Sequence, residues 1–233
     1  MIKDIYIFDG NGTNMTDPKL ILASGSPRRR HLMADLGFEC TVVTAGVDET
    51  PLPDEWPAEL AERLARSKAM AVAGTLDSDG GPYVVLAADT VVGMGQDILG
   101  KPEDAEDAVR ILRLLRGRRH QVHTAVCVLD VEAFECGARV NTTQVDMRDY
   151  SDAEIEEYVA SGDPMDKAGA YAIQHPGFAP VQDIEGCITS VMGLPLGDAC
   201  DLLAEFGLRP QCAIADVCER QADFPCCRRE GKN

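Results

Sequence analysis

No run of about 18 apolar residues, the length a membrane-crossing helix needs, occurs anywhere in the 233-residue chain. The opening residues, MIKDIYIFDGNG, lack the basic start, apolar stretch and small-residue cleavage site of a secretory signal. The expectation is a cytoplasmic protein with no membrane partner. Positive charge is scarce as well: 22 Lys and Arg stand against 39 Asp and Glu, a formal net charge of −17. That balance argues against gripping long nucleic acid by its phosphates, which needs a cationic surface. Any anion bound must meet a local cluster of positive groups. Neither G-x-x-x-x-G-K-[ST] nor G-x-G-x-x-G is present, which removes the P-loop and Rossmann routes to phosphate binding. No internal repeat is found.

What is there fits one sizeable globular domain: 45% of residues are hydrophobic and 26% charged, enough to bury a substantial core. Nine cysteines form an odd set spread along the chain. That reads as free thiols in a reducing compartment rather than a disulfide framework. Cys212, Cys218, Cys226 and Cys227 crowd into the last residues at a spacing that matches no familiar zinc pattern. They are expected to be unpaired tail thiols, with metal binding or an adventitious disulfide as the alternatives.

Residues 1–18 read as a polar, flexible leader, 19–208 as the folded domain, and 209–233 as a Cys-rich charged tail. Leu20 to Ala23 predicts a buried strand, Ser24-Gly25-Ser26 a turn, and Pro27 the first residue of a helix that Gly37 ends. Val42-Val43 predicts a strand, Pro57 to Ala73 a second helix, and Tyr83 to Gly93 a near-continuous apolar strand. A third helix, Ala105 to Arg116, places Ala105, Ala108, Val109, Leu112 and Leu115 on one face. Strands are expected over Val122 to Leu129 and Arg139 to Met147, then a helix opened by a Ser151/Glu154 capping box and closed by Gly162. Short strands follow around Tyr171, Phe178 to Ile184 and Ile188 to Val191, before a last helix from Pro195 to Phe206. This alternation predicts an α/β fold, a mixed twisted sheet with flanking helices and two lobes around a central cleft.

Several residues break local rules, and such positions tend to be functional. Arg28, Arg29 and Arg30 occupy the first turn of a helix whose N-terminus is already partly positive, a cost unless an anion sits there. A solvated basic turn is the alternative, Arg30 being the most readily explained by exposure alone. Lys68 falls on the apolar face set by Ala61, Leu64, Ala65 and Val72, so it should reach a carboxylate or phosphate, or else snorkel at the edge. Asp89 lies inside Val84 to Val92, where a carboxylate needs a metal or a cation; a structural pairing with a buried Arg or Lys is the alternative. Asp48, Glu49 and Lys101 taken singly are ordinary loop charges, but gathered round a triphosphate they would complete a metal-and-cation clamp. His120 and His123 lack supporting ligands, and structural or exposed roles are expected.

These segments come in an order that resembles the Maf family of nucleotide pyrophosphatases, over about Leu20 to Phe206. The motifs are LILASGSPRRRHLMADLGF, VDE at 47–49, LARSKA around Lys68, AADTVV around Asp89, LGKPEDAEDAVRILRLLRGRRHQVHTAV from Leu99, DKAGAYAIQ ending at Gln174 and SVMGLPL from Ser190. The resemblance implies hydrolysis of the α–β phosphoanhydride of a nucleoside triphosphate, in a cleft of a fold similar to that of inosine-triphosphate pyrophosphatases. It further implies that Ser24, Arg28 and Arg29 bind phosphate, and that Glu49, Lys68, Asp89 and Lys101 form the catalytic and metal-handling set. On this resemblance Asp89 is expected to be the proton acceptor, and Asp89 and Glu49 are expected to hold a divalent cation, magnesium or manganese. Arg28, Thr90 and Gln174 fall on the base-preference positions; Thr90 directly after Asp89, with Gln174, looks like the branch preferring dTTP and UTP. Dimerisation is suggested by the resemblance alone. A nucleotide-binding regulator of cell division without turnover is the reading from a different class.

Overall fold

The computed structural model describes residues 18–77, 80–221 and 224–228. The expected polar leader, 1–18, lies outside them but for its last residue. Lys19–Ala23 (β1) is an apolar run with four of five residues buried, the pattern of a strand covered on both faces. It pairs in parallel with Thr41–Val42 (β2) on one side and Tyr83–Met94 (β3) on the other. Pro27–Asp35 (α1) begins at a proline and stops before Gly37, whose φ of +81° suits glycine. Pro57–Ala73 (α2) ends at Gly74, and at its other end the Glu59 carboxylate accepts from the Trp56 N–H at 2.9 Å.

The two crossovers take opposite faces of the sheet. Leu32 and Met33 of α1 pack with Leu22 and Leu86 in one cluster, whereas Leu60 and Leu64 of α2 pack with Ile21 and Val85 in another. Helix α1 leads from β1 outward to β2, and α2 leads back across to β3. Open α/β sheets place ligands outside strand ends where the winding changes direction in this way.

Beyond β3 the sheet is antiparallel. Asp97–Leu99 (β4) folds back on the end of β3 through Gly95, at φ +64°. Arg119–Asp130 (β5), Glu135–Met147 (β6) and Val181–Glu185 (β7) complete the order β2-β1-β3-β5-β6-β7. Ala105–Leu115 (α3) and Asp152–Ala160 (α4) form a third cluster through Ile111, Leu112, Leu115, Tyr150 and Ile155. Helix α4 opens on the expected capping box, Ser151 Oγ accepting from the Glu154 N–H at 3.3 Å and the Glu154 carboxylate from the Ser151 N–H at 2.8 Å. Ile188–Val191 (α5), Leu196–Ala204 (α6) and Ile214–Gln221 (α7) follow. Among the described residues the fold is therefore α/β, a seven-stranded mixed open sheet with seven flanking α-helices. None of those helices is long and apolar enough to cross a membrane.

Four local expectations are corrected. Ile188–Val191 is a helical turn rather than a strand, with the Met192 N–H donating to the Ile188 carbonyl at 3.2 Å. A four-residue apolar run does not distinguish the two by periodicity. Around Tyr171 the chain makes a short 3-10 turn, Ala168–Ala170, instead of a strand. The strand sought from Phe178 starts only at Val181, because Ala179 at φ +41° breaks extension. The buried face of α3 uses Ile111, while Ala105 is exposed.

Leu86 is fully buried at the centre of β3. Leu86→Ala is expected to cost about 2–5 kcal/mol through lost transfer energy and a residual cavity, read as a lower urea midpoint with an unchanged slope. Leu52→Ala, at a side chain 55% exposed, should change stability by less than about 0.5 kcal/mol.

Candidate active site

The register of β3 leaves a gap beside it. Pairing with β1 runs to Ala23↔Ala87 and pairing with β4 begins at Val92↔Leu99. Between them, on the edge turned away from β5, neither strand covers residues 88–91. A cavity of about 660 Å³ opens there, lined by residues of the β1–α1 turn, the β2–α2 loop, α2, β3, the loop after β4 and the segment 166–174.

Asp89 is buried, and its carboxylate accepts from Lys68 Nζ at 2.5 Å. The same ammonium lies 2.6 Å from Glu49. Lys68 therefore does reach a carboxylate from the apolar face of α2, and it reaches two. The loop carrying Glu49 is pinned to α2: Arg63 pairs with Glu55 at 2.6 Å and donates to the Thr50 carbonyl at 3.0 Å. Asp48 turns to the Thr50 N–H, 2.9 Å away, leaving Glu49 to face the cavity.

The two carboxyls are pushed in opposite directions. Burial raises Asp89 above the ordinary carboxylate range, with Lys68 and Arg29 pulling against it. Glu49 is exposed, and its hydrogen bond to Lys68 outweighs desolvation and holds it below its ordinary value. One cation thus serves an acid that resists ionising and another that ionises readily.

On the other face of β3, Arg29 acts as a clasp. Its Nε donates to the Gly193 carbonyl at 2.6 Å, Nη1 to Ser24 Oγ at 3.1 Å and Nη2 to Thr90 Oγ1 at 3.2 Å. Thr90 also meets Thr124 Oγ1 at 3.0 Å, which donates to the Ser190 carbonyl at 2.8 Å. Burial works against the Arg29 charge, and the field of Asp89 opposes that loss. Gly193 is required here: its φ is +102°, and an added Cβ would lie 3.4 Å from both Arg29 Nε and Thr90 Oγ1. Arg28 is half-buried at the cavity wall, whereas Arg30 is exposed. The first turn of α1 contains no acidic residue to balance its end.

Lys101, exposed after β4, and Gln174 line the same cavity. Gln174 Nε2 donates to the Gln221 carbonyl at 2.6 Å, so the end of α7 holds this amide. The nine residues that the family resemblance points to, Ser24, Arg28, Arg29, Glu49, Lys68, Asp89, Thr90, Lys101 and Gln174, border this cavity, whereas Arg30, Asp48, His120 and His123 do not.

Lys167 was not singled out. It is buried at the cavity wall, paired with Asp166 at 2.6 Å and Asp163 at 3.1 Å. Its sequence neighbourhood carried no signal, since Asp163 and Asp166 supply its partners locally. His120 and His123 sit inside β5, bonded to the Tyr171 hydroxyl and to Thr142 Oγ1, each at 2.9 Å. Burial drives His120 down to about 4, so it stays neutral at physiological pH.

A sheet with this gap, an acid raised by burial and a basic helix end define an enzyme-like anion site, and comparison with known proteins gives it a family. Residues 19–206 match the family model described as Maf-like protein, and the chain belongs to the Maf family. It is 46% identical over 189 residues to a dTTP/UTP pyrophosphatase of Pelotomaculum thermopropionicum, covering 81% of this chain and 97% of the relative. A dTTP/UTP pyrophosphatase of Anaeromyxobacter dehalogenans is 48% identical over 193 residues, covering 82% and 95%. One from Hahella chejuensis is 45% identical over 205 residues, covering 87% and 98%.

Lys68→Met would leave Asp89 buried beside no ammonium, and breaking a buried pair in this way costs about 3–5 kcal/mol. Asp89 already sits above its unfolded value, and losing Lys68 raises it further. The unfolded chain then binds fewer protons across that interval, so the deficit is complete above the folded value and shrinks as pH falls through it. In the parent, Glu49's share of stability is also lost toward acid, which narrows the difference in the same direction. The expected outcome is a denaturation midpoint well below the parent at about pH 8 and closer to it at about pH 5. An equal deficit at both would contradict the pairing.

Proposed function

We propose that this protein is a nucleoside triphosphate pyrophosphatase that hydrolyses the α–β phosphoanhydride of dTTP and UTP to the monophosphate and pyrophosphate. The observation that carries this reading is the Asp89–Lys68–Glu49 array in a cavity shared with the basic first turn of α1. The relatives' names support the same substrate pair. The reading takes 19–208 as the catalytic domain of a cytoplasmic enzyme, with two lobes flanking the cleft as in inosine-triphosphate pyrophosphatases.

The residues fit a magnesium or manganese ion. Asp89 and Glu49 offer hard carboxylate oxygens that converge on the one point Lys68 now holds. Magnesium commonly takes one or two carboxylates and leaves its other positions to water and substrate phosphates. No group of three or more His, Cys, Asp or Glu suited to a metal gathers among the described residues, so Asp89 and Glu49 would share the ion with the nucleotide. When bound, the ion neutralises phosphate charge and polarises the phosphorus centre.

The chain's own groups supply the rest. Arg28, Arg29, Ser24 and the open amides of α1 hold the phosphate chain. Arg29 is the more rigid of the two arginines, since three of its donors already fix it. Asp89 takes the proton from a water as its oxygen attacks phosphorus, a role suited to a carboxylate whose proton affinity burial has raised. Lys68 and Lys101 neutralise charge on the departing pyrophosphate. Gln174, oriented by the tail carbonyl, pairs with a pyrimidine edge, donating to a carbonyl and accepting from N3–H.

Pyrophosphate release across dTTP, UTP, CTP, GTP and base-modified triphosphates, with and without chelator, tests the reading. Turnover should favour dTTP and UTP and stop with chelator. Tight dTTP binding by the metal-loaded protein without pyrophosphate release would instead identify a nucleotide-binding regulator. Asp89→Asn should lower kcat by about 10²–10⁴ with the fold intact by circular dichroism. Full activity in that variant would remove Asp89 from the chemistry.

A further inference from the structure

A second, smaller cavity of about 50 Å³ is lined by four of the nine cysteines, Cys187, Cys218, Cys226 and Cys227. They arrive from three places: the turn after β7, helix α7, and the chain beyond it. The Cys227 thiol is hydrogen-bonded to Cys187, and Cys226 to Cys218. Among the described residues, no three such groups gather in a way that would hold a metal ion. The cluster is thus two dithiol pairs side by side rather than one tetrathiolate cage.

The pairs differ in access. Cys218 and Cys226 are both buried in the core cluster with Val217. Cys187 is buried, but its partner Cys227 is exposed. The backbone next to Cys227 is anchored, because Arg228 pairs with Asp201 at 2.7 Å. Cys187 Sγ also lies 3.2 Å from Thr189 Oγ1. The Cys227 hydrogen bond first, and then donors from Thr189 and Ser190, outweigh burial and pull Cys187 down to about 6, while Cys227 is pushed up. Cys187 therefore has the thiolate character and Cys227 keeps the proton.

We propose that Cys187 and Cys227 form a thiol–disulfide exchange site, in which exposed Cys227 meets a small-molecule disulfide and buried Cys187 resolves it, fastening the C-terminal segment to the sheet. In the first step Cys187, hydrogen-bonded to Cys227, takes its proton as the Cys227 sulfur attacks the disulfide RSSR. A Cys227–SR bond forms, the S–S bond breaks, and the departing RS− is protonated from solvent. In the second step the Cys187 sulfur attacks the Cys227 sulfur, forming Cys187–Cys227, and the second RS− leaves with the Cys187 proton as RSH. Two protein thiols are oxidised and one small disulfide is reduced to two thiols, so electrons and protons balance. The fastened segment includes α7, whose Gln221 carbonyl accepts from Gln174 at the main cavity.

The test uses full-length protein, stripped of metal by chelator, equilibrated with excess glutathione disulfide, trapped with iodoacetamide and mapped by non-reducing peptide mass spectrometry. The expected result is a Cys187–Cys227 linked peptide pair that disappears on adding reduced glutathione. Cys227→Ser, at an exposed position, should abolish the linked pair and leave Cys187 alkylatable after unfolding. Cys187→Ser should trap glutathione on Cys227. If that buried variant fails to fold, the Cys227→Ser result decides. Linkage mainly through Cys218–Cys226 or Cys226–Cys227 would overturn the assignment. So would Cys187 and Cys227 both remaining free thiols.

Discussion

The ammonium of Lys68 sits between the carboxylates of Asp89 and Glu49, 2.5 and 2.6 Å away, on the face of α2 that otherwise packs as apolar core. Without that ammonium the buried Asp89 would lose its ion-pair partner, and without Asp89 the lysine, on the face set by Ala61, Leu64, Ala65 and Val72, would keep only the exposed Glu49. The arrangement satisfies both while leaving each acid with unused oxygen lone pairs toward the cavity. A site built this way is held together by internal ion pairing, and in the proposed reaction its groups would turn to a metal-bound phosphate chain.

The fold makes this juxtaposition through strand lengths. Strand β1 ends at Ala23 and β4 begins its pairing only at Val92, so β3 passes through a stretch with one edge open where Asp89 lies. The turn after β1 delivers Ser24 and the arginines of α1 to the same opening. Arg29 then ties α1, β3 and the turn at Gly193 together through three hydrogen bonds. The basic helix end and the acidic array thus approach from opposite faces of one strand. The conflict of charges that α1 carries alone is the feature that a polyphosphate would relieve in the proposed reaction.

Much of this was legible in the residues themselves. Helix boundaries at Pro27 and Pro57 followed from prolines at first helical positions, and β1 and β3 from their near-continuous apolar runs. Asp89 and Lys68 stood out because each violated the pattern of its own element. Less legible was anything set by tertiary context. The helical turn at Ile188–Val191 has no periodicity to reveal it, and the short β4 depends on a glycine turn at Gly95. Lys167 is paired locally with Asp163 and Asp166, so nothing in its immediate sequence breaks a rule. The tail thiols, expected to be unpaired, pack against the core through α7 because Val217, Cys218 and Cys226 complete the apolar cluster around α6. The contact from Gln221 to Gln174 joins residues too distant in sequence for any local pattern to connect.

The central claim is that burial raises the proton affinity of Asp89 while Lys68 pulls against it, and that in the proposed reaction this carboxylate turns from Lys68 to a metal-bound nucleotide. The direct measurement is a carbon-detected NMR titration of the Asp89 side-chain carboxyl, in the free protein and again with magnesium and a non-hydrolysable α,β-bridged dTTP analogue. The account predicts titration above the ordinary carboxylate range in the free protein and a clear downward move in the complex. A titration curve unchanged by the nucleotide and metal would contradict it.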